Sequence, residues 1–248
     1  MERRRGTDAA VADIRGHRSG RSLGCGDAAQ AFHRAVRLTG VGGAASKVRL
    51  SIFPLPGALL FPGLQLPLHI FEPRYQAMVS DSLVRDRRIA MIQPQTSVEG
   101  APLFSIGCVG KIGEVEAMED GRYNVVLEGI SRFRILRELV VTTPFRQVEA
   151  ELLHDDAGAS LSAVERASFE REARRFADAQ GYSVDWDSVG RLDDVSLING
   201  VSQIAPFDAA AKQALLEASD LATRCELLVQ LMQFFGRRDS DDGAVTLQ

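Results

Sequence analysis

The 248-residue chain has few cysteines and histidines, and each shortage excludes a class of protein. Its three cysteines, Cys25, Cys108 and Cys225, lie far apart and form no Cys-x-x-Cys pair. Their spacing argues against a disulfide framework and a thiolate zinc site, and it indicates a reducing compartment. The four histidines show no i, i+4 spacing and no His-Glu-x-x-His context. The sequence therefore predicts no metal site.

The motifs of common catalysts are also missing. The only Gly-Lys pair, Gly110-Lys111, is followed by Ile112 and has a serine where a P-loop needs its first glycine. The G-x-S-x-G match at residues 20–24 has polar, Arg-rich flanks instead of the strand and helix that hold a nucleophilic serine. We therefore expect no enzyme activity, no catalytic residues and no cofactor.

Charge is distributed unevenly along the chain. Residues 1–46 carry eight Arg and four acids, a balance of +4, so the overall charge of −4 leaves −8 for residues 47–248. An acidic folded part is a poor partner for phosphate backbones, which makes nucleic acid an unfavourable ligand. The first 46 residues are rich in Gly, Ala, Ser and Arg without a period of 2 or 3.6, and they predict a disordered tail.

Leu50–Phe71 is a run of 22 residues without a charged side chain, long enough to suggest a membrane span. Its prolines would interrupt a helix repeatedly, and lipid offers the freed backbone groups no other partner. These prolines are Pro54, Pro56, Pro62 and Pro67. No apolar signal region follows the N-terminal arginines. The sequence therefore predicts no membrane association and a cytoplasmic protein.

Residues 47–153 predict short strands around one early helix. The helix, Arg74–Asp86, has an apolar stripe. Asp120-Gly121 suits a type I′ hairpin turn, and apolar residues alternate along the arm that follows it. The predicted strands are Val48–Phe53, Leu64–Ile70, Arg88–Gln93, Val109–Met118, Arg122–Ile130, Ser131–Leu139 and Phe145–Leu152. Such a set favours a small, closed, mostly antiparallel β-barrel.

Residues 154–236 predict a helical bundle. Ser162 and Glu165 form a capping box that begins a helix ending at Gly181. Further helices are predicted at Asp193–Ile204, Asp208–Ala218 and Asp220–Phe235, with Gly236 as the last stop and residues 237–248 as a polar tail. Strands followed by helices indicate an α+β chain.

Two sets of charged residues are predicted to have structural roles. Glu72 and Arg74 lie at the start of the early helix, where a local ion pair would fix the helix end. Arg132 and Arg134 are expected to point away from the barrel interior and to form a solvated cross-strand set with Glu128.

The segment Phe53–Tyr75, with its Phe-Pro-Gly and Leu-Pro-Leu steps, resembles the opening of the Lon protease N-terminal (substrate-binding) domain. Similar stretches follow at Gly110–Val115, Val126–Gly129, Leu197–Val201 and Phe207–Met232. The resemblance, over residues 47–235, implies a PUA-like barrel, a helical bundle and a role in recognising protein substrates. Complete Lon proteases add an ATPase module and a Ser–Lys protease domain, so we expect a stand-alone, non-catalytic protein of quality control.

The expected ligands are unfolded or apolar protein segments, with a protease or an ATPase as a second kind of partner. A proline-stiffened loop loses little entropy on binding, which favours such a role. The candidate binding residues are Leu55, Leu59, Leu60, Phe61, His69, Phe71 and Tyr75. The same residues could instead fill the barrel and its seam with the first helix.

Two other functions stay open at this point. PUA-like folds include RNA binders, and the arginines of residues 1–46 could supply affinity for phosphates. A small ligand could also occupy a gap between the barrel and the helices. Nothing in the sequence assembles a nucleophile, a base and an orienting group for catalysis on such a ligand.

Overall fold

The computed structural model describes residues 47–153 and 158–241, with side chains as far as Gly236. The predictions for residues 1–46, for His154 and for the last seven residues lie outside this part of the chain. The first half contains six strands and one helix. They are β1 (Lys47–Pro54), β2 (Gln65–Ile70), α1 (Pro73–Val84), β3 (Arg88–Ile92), β4 (Ile106–Ala117), β5 (Tyr123–Leu139) and β6 (Gln147–Leu152).

The strands form one sheet that closes on itself. Their order is β2-β5-β4-β3-β1-β6, and β6 also pairs with β5, so five strands make a ring and β2 lies outside it. Every pairing is antiparallel except that of β1 with β3. The predicted small, closed, mostly antiparallel barrel is confirmed.

Strand β5 is long enough to pair with three other strands of the sheet. The sequence predicted two strands here, but residues 123–139 form one. Its first half pairs with β2 and β4, and its second half pairs with β4 and β6. Register shifts after Val109 and Ile112 accompany the change of partner. Such irregularities bend and twist a strand, which explains how β5 can pair with β2 along its first half and with β6 along its second half.

The β4–β5 hairpin lies where the sequence predicted it, but its turn is of another type. A type I′ turn needs positive φ at both central residues. Gly121 has φ 84°, whereas Arg87 is the only described non-glycine residue with positive φ. The Met118 N–H donates to Arg122 O at 2.8 Å, which makes the loop three residues long. Glycine at the left-handed end of a three-residue loop is a common alternative.

The second half of the described chain is helical. Its elements are α2 (Ala163–Ala179), α3 (Trp186–Val189), α4 (Asp194–Ile204), α5 (Ala209–Glu217) and α6 (Leu221–Asp241). The capping box is confirmed, because the Glu165 N–H donates to Ser162 Oγ and the Ser162 N–H donates to Glu165 Oε2. Helix α3 was not predicted, since a single turn gives no usable periodicity.

Helix α6 continues past Gly236 to Asp241, so the predicted stop at that glycine was wrong. A glycine inside a helix costs only about 1 kcal/mol relative to alanine, which neighbouring contacts can offset. A Cβ added at Gly236 would lie 3.5 Å from the Phe176 ring, so this part of α6 packs closely on α2.

Two apolar clusters organise the fold. The smaller cluster fills the barrel interior, and the larger one lies between the outer surface of the barrel, α1 and the C-terminal helices. The barrel interior contains Leu50, Ile52, Ala90, Ile92, Val109, Phe133, Val148 and Ala150. Burial of a large apolar side chain contributes about 1.5–3 kcal/mol, so both clusters matter for stability.

Asp220 precedes α6 and gives a pH prediction. Hydrogen bonds from the Ser219 hydroxyl and from the Thr223 N–H and hydroxyl lower the pKa of its carboxyl to about 2. Because the folded-state pKa lies below the ordinary 3.8, the carboxylate stabilises the fold fully above about pH 4. This contribution is lost as the pH falls through about 2.

We expect the Asp220 carboxyl carbon to titrate with a midpoint of about 2 in the folded protein when followed by NMR. The double substitution Ser219→Ala, Thr223→Val should move the midpoint toward 3.8, because it removes two hydroxyl donors. A midpoint near 3.8 in the unmodified chain would show that these hydrogen bonds do not hold the carboxylate.

Candidate functional site

Four of the seven predicted binding residues are buried. Leu59, Leu60, Phe61 and Tyr75 have exposed fractions of 6%, 1%, 0% and 7%. They belong to the cluster between the barrel, α1 and the helices, so the expectation that they face a partner was wrong. The Tyr75 ring lies 4.2 Å from that of Phe53, and burial raises the pKa of its hydroxyl.

The Pro-Gly loop between β1 and β2 is folded onto the barrel by polar side chains from distant parts of the chain. The Gln93 amide donates to the carbonyls of Leu55 and Ala58 and accepts from the Gly57 N–H. Gln203 of α4 accepts from the Phe61 N–H at 3.0 Å. With its backbone groups satisfied in this way, the loop can bury its apolar side chains without cost to its polar atoms.

Two glycines of the barrel permit this close approach. A Cβ at Gly129 of β5 would lie 2.1 Å from Phe61 O, and one at Gly110 of β4 would lie 2.9 Å from Leu60 Cδ2. Any side chain at Gly129 would therefore push the loop away from the barrel. The sequence shows these glycines, but it does not show which segment packs against them.

The remaining three candidates reach the surface to different degrees. Leu55 is half-buried, His69 is exposed, and Phe71 is 45% exposed. His69 is the fifth residue of β2, and Phe71 directly follows that strand. Their ring centroids lie 6.2 Å apart in a nearly parallel arrangement. The structure thus brings two of the seven together on one exposed surface, which we call the β2 surface (Pro67, His69, Phe71).

A hydrogen-bond network fixes the His69 ring. Its Nδ1 lies 2.7 Å from Asn124 Oδ1, and its Nε2 lies 3.4 Å from Arg122 Nη1. Because an amide oxygen only accepts, Nδ1 carries the proton and donates to Asn124, while Nε2 accepts from Arg122. Arg122 is itself paired with Asp120 at 2.6 Å. Local sequence patterns do not reveal this network, because it joins residues of two different strands.

The surface beside His69 is acidic. On β5, Val126 lies between Pro67 of β2 and Glu114 of β4. Two residues away, Asn124 of β5 lies between His69 of β2 and Glu116 of β4. Residues that are directly opposite in a sheet present their side chains on the same face. The face that carries the β2 surface therefore also carries exposed carboxylates of β4 and β5. These are Glu114, Glu116 and Glu128, and the exposed Lys111 lies on the same face directly opposite Glu128, so acids outnumber bases there.

Strand β2 is an edge of the sheet, since it pairs only with β5 in the part of the chain that the structure describes. The Gly129 N–H donates to Leu64 O, so the odd-numbered residues of β5 direct their backbone groups toward β2. Even-numbered β2 residues face them, and the backbone groups of Gln65, Pro67 and His69 point away from the sheet. Gln203 donates to the outward Gln65 carbonyl at 2.8 Å, in agreement with this alternation.

Arg132 is not part of a solvated charge set, contrary to prediction. It points out of the barrel as expected, but helices cover the barrel there, and only 3% of the residue is exposed. It donates to the carbonyls of Leu216, Ala218 and Ser219. Arg134, by contrast, is exposed. The sequence could not reveal which part of the outer face the helices cover.

A second buried arginine, Arg224, donates a hydrogen bond to the C-terminal end of α5, the helix end that Arg132 also contacts. Arg224 of α6 is 1% exposed and donates to Leu215 O and to Asn199 Oδ1, both at 3.0 Å. The Asn199 amide in turn donates to Pro62 O at 3.1 Å. Helix C-termini leave carbonyls without partners, and the two arginines satisfy those of α5. This polar set joins the Pro-Gly loop, the barrel and three helices.

The ion pair predicted at the start of α1 is confirmed, because Arg74 Nη2 lies 2.8 Å from Glu72 Oε2. Arg74 also pairs with Glu99. The side chains of Arg74 and Glu72 are 36% and 39% exposed, so water screens the pair and it stabilises the fold weakly.

The predicted gap for a small ligand between the barrel and the helices is filled by the larger apolar cluster. A cavity of about 270 Å³ lies elsewhere, at one end of the barrel. Arg146 on its wall is engaged in two 2.7 Å bonds with Glu138, which lower the pKa of that carboxyl. Within residues 47–153 and 158–241, no His, Cys, Asp and Glu side chains are grouped to hold a metal ion.

The described helices include none that combines the length and the apolar character needed to cross a lipid bilayer. Cys108 and Cys225 are buried, and burial raises the pKa of the Cys225 thiol to about 11. A thiol that stays protonated at neutral pH is a poor nucleophile, so Cys225 fits a packing role.

Comparison with known proteins identifies a similar family and similar folds. Residues 49–233 match the sequence profile of the ATP-dependent protease La (LON) substrate-binding domain. The chain is 26% identical over 197 residues to Lon protease 2 of Myxococcus xanthus, covering 74% of this chain and 23% of that protein. It is 25% identical over 193 residues to Lon protease 2 of Sorangium cellulosum, covering 73% and 24%. The chain thus spans about a quarter of these relatives.

Two solved structures show the same fold. The Lon N-terminal domain protein from Xanthomonas campestris superposes with a TM-score of 0.59 at 21% identity, covering 74% of this chain and 98% of that one. The N-terminal domain of Mycobacterium avium complex Lon protease gives a TM-score of 0.59 at 19% identity, with 75% and 98% covered. The α+β arrangement of barrel and helices is therefore that of Lon N-terminal domains.

Proposed function

The chain belongs to the family of the ATP-dependent protease La (LON) substrate-binding domain, and from this premise we propose that it recognises exposed apolar segments of unfolded proteins through the β2 surface. The observation that carries the proposal is the exposed, stacked aromatic pair of His69 and Phe71. Substrate recognition needs an accessible surface, and most of the apolar residues first considered for it are in the core.

The β2 surface is preorganised for binding. The Gln76 amide donates to Phe71 O at 3.2 Å, and Pro73 begins α1 two residues after Phe71. Asn124 and Arg122 fix the neighbouring His69 ring. Groups that are already held in place lose little conformational entropy when a ligand binds. An exposed phenylalanine in such surroundings is therefore suited to act as an anchor.

We further propose that the chain does not itself cleave its ligands, works in the cytoplasm, and supplies unfolded clients to a protease or an ATPase. The profile match falls within a substrate-binding domain, and the sequence lacks a P-loop. The three cysteines of the sequence lie far apart and form no Cys-x-x-Cys pair, which favours a reducing compartment. The exposed carboxylates beside the β2 surface do not favour RNA as the ligand, because they would repel phosphates.

The substitution Phe71→Ala should weaken binding of an unfolded protein about tenfold, because it removes an aromatic anchor. A suitable probe is fluorescently labelled α-lactalbumin that has been reduced and carboxymethylated so that it stays unfolded. Its dissociation constant would be measured by anisotropy with the full chain. The thermal midpoint should hardly change, since Phe71 is 45% exposed.

Phe234→Ala is the matched control, because Phe234 is also an exposed phenylalanine but lies on α6. We expect its affinity for the same probe to stay within a factor of about two. The proposal fails if the unmodified chain does not bind the unfolded probe. It also fails if both substitutions weaken binding equally.

A further inference from the structure

The open edge of β2 indicates how a client segment would be bound. The backbone N–H and C=O of His69 and the C=O of Pro67 point away from the sheet, into the space beside the strand. The outward Gln65 carbonyl is already occupied by Gln203, and the Phe71 carbonyl by Gln76. The unoccupied stretch is therefore short and centred on His69.

Pro67 limits what this edge can pair with. Proline has no N–H, so one of the outward donors of β2 is missing, and continuous pairing along the whole strand is impossible. Prolines of this kind protect edge strands from unlimited association with other strands. A short extended segment can still exchange two hydrogen bonds with His69 and donate one to Pro67. An edge with these properties suits brief, reversible pairing.

The two faces of such an added strand would meet different surroundings. On one face lie Leu66 and Leu68, whose side chains are only half-buried at the edge of the core. On the other face lie Pro67, His69 and the acidic side chains of β4 and β5, with Glu128 opposite Gln65. Neighbouring strands are about 4.8 Å apart, so an added strand would lie about 10 Å from β5. The Debye length is about 8 Å at physiological salt, so the long Lys or Arg side chains of the added strand must extend back across β2 to be attracted by Glu128 of β5. Glu114 and Glu116 of β4 lie one strand farther away.

We propose that β2 captures clients by β-strand addition, and that it selects extended segments in which apolar residues alternate with Lys or Arg. The apolar side chains cover Leu66 and Leu68, and the basic side chains lie over the acidic face that carries Glu114, Glu116 and Glu128. Backbone hydrogen bonds to an edge strand make such binding tolerant of sequence, as a receptor for many clients requires. This inference rests on the proposed function and specifies its binding mode and ligand class.

Three substitutions in β2 test the backbone bonds directly. His69→Pro removes the outward N–H, and we expect it to weaken binding about tenfold. His69→Ala removes the imidazole of the β2 surface but keeps the N–H, so it should weaken binding only about threefold, and the additional loss in His69→Pro measures the backbone hydrogen bond. Pro67→Ala adds an outward donor and should tighten binding about threefold. Circular dichroism of each full-length variant would establish that it is folded, and Pro67→Ala decides the question if His69→Pro does not fold.

The probes are labelled ten-residue peptides, measured by anisotropy against the full chain. One alternates Val with Lys, a second has the same residues in two blocks, and a third alternates Val with Glu. We expect the alternating Val-Lys peptide to bind at least about tenfold more tightly than the others, with an affinity that falls as salt is added.

Two results would overturn the inference while leaving the proposed function intact. The first is that His69→Pro and His69→Ala bind the unfolded protein equally well and Pro67→Ala brings no gain. The second is that the alternating and blocked peptides bind alike. If the unmodified chain binds neither the peptides nor the unfolded protein, the proposed function itself fails.

Discussion

Phe61→Ala is expected to lower the free energy of unfolding by about 3–5 kcal/mol. The Phe61 side chain is fully buried in the larger apolar cluster, and the loop around it is held against Gly129. Its removal leaves a cavity that the proline-rich loop cannot easily close. Urea unfolding followed by circular dichroism measures this loss, which is large relative to the roughly 5–15 kcal/mol of a typical domain.

The comparison with Phe71→Ala separates a core residue from a binding residue. Phe71→Ala should change the unfolding free energy by no more than about 0.5 kcal/mol, because the side chain is exposed. Conversely, folded Phe61→Ala protein should bind an unfolded client with nearly unchanged affinity. If Phe61→Ala weakened client binding without loss of stability, Phe61 would belong to the binding surface and its assignment to the core would be wrong.

Arg224→Met is expected to lower the free energy of unfolding by about 2–5 kcal/mol. Arg224 is 1% exposed and donates to Leu215 O and Asn199 Oδ1 between α4, α5 and α6. Methionine fills a similar volume but cannot donate, so buried oxygens lose a hydrogen-bond partner. Urea unfolding of the variant measures the cost.

The matched control is Arg134→Met on β5, where the arginine is exposed and the change should cost less than about 0.5 kcal/mol. A double-mutant cycle with Asn199→Ala adds a second check. Because Arg224 and Asn199 share a hydrogen bond, their effects should be clearly less than additive. Equal stability losses for Arg224→Met and Arg134→Met would contradict a role of Arg224 in joining the helices.

Local patterns in the sequence predicted the elements well because each rests on short-range physics. The capping box at Ser162, the acidic cap at Asp208 and the hairpin near Gly121 all depend on residues within a few positions of one another. The same pattern matching placed the strands of the barrel, although it divided β5 into two. Closure of the barrel followed from their number and alternation.

The wrong predictions concern which parts of the chain pack against a given element. Short-range patterns contain no information about such contacts. Alternation correctly directed Arg132 out of the barrel, but only the tertiary fold places α5 over it. Apolar residues in the Pro-Gly loop suggested a binding surface, whereas Gln93 and Gln203, which fold that loop onto the barrel, come from distant positions. The parallel pairing of β1 with β3 likewise had no local signal.

The candidate site was found in part for the same reason. The sequence places His69 and Phe71 at the end of the apolar run Leu50–Phe71, near the Pro-Gly loop, and the structure leaves both of them exposed. The acidic face beside them was not foreseen, since it is assembled from β4 and β5 across the sheet. The open edge also depends on topology, because β2 is the strand left outside the closed ring.

Residue-resolved amide hydrogen exchange of the full chain, with and without the unfolded client, tests the central claim most directly. Client binding at the β2 surface should slow exchange at His69 and its neighbours in residues 65–71, while amides near Phe234 and around the cavity beside Arg146 stay unchanged. Unchanged exchange at residues 65–71, with protection appearing at either of those other places, would contradict the claim that this surface recognises substrate.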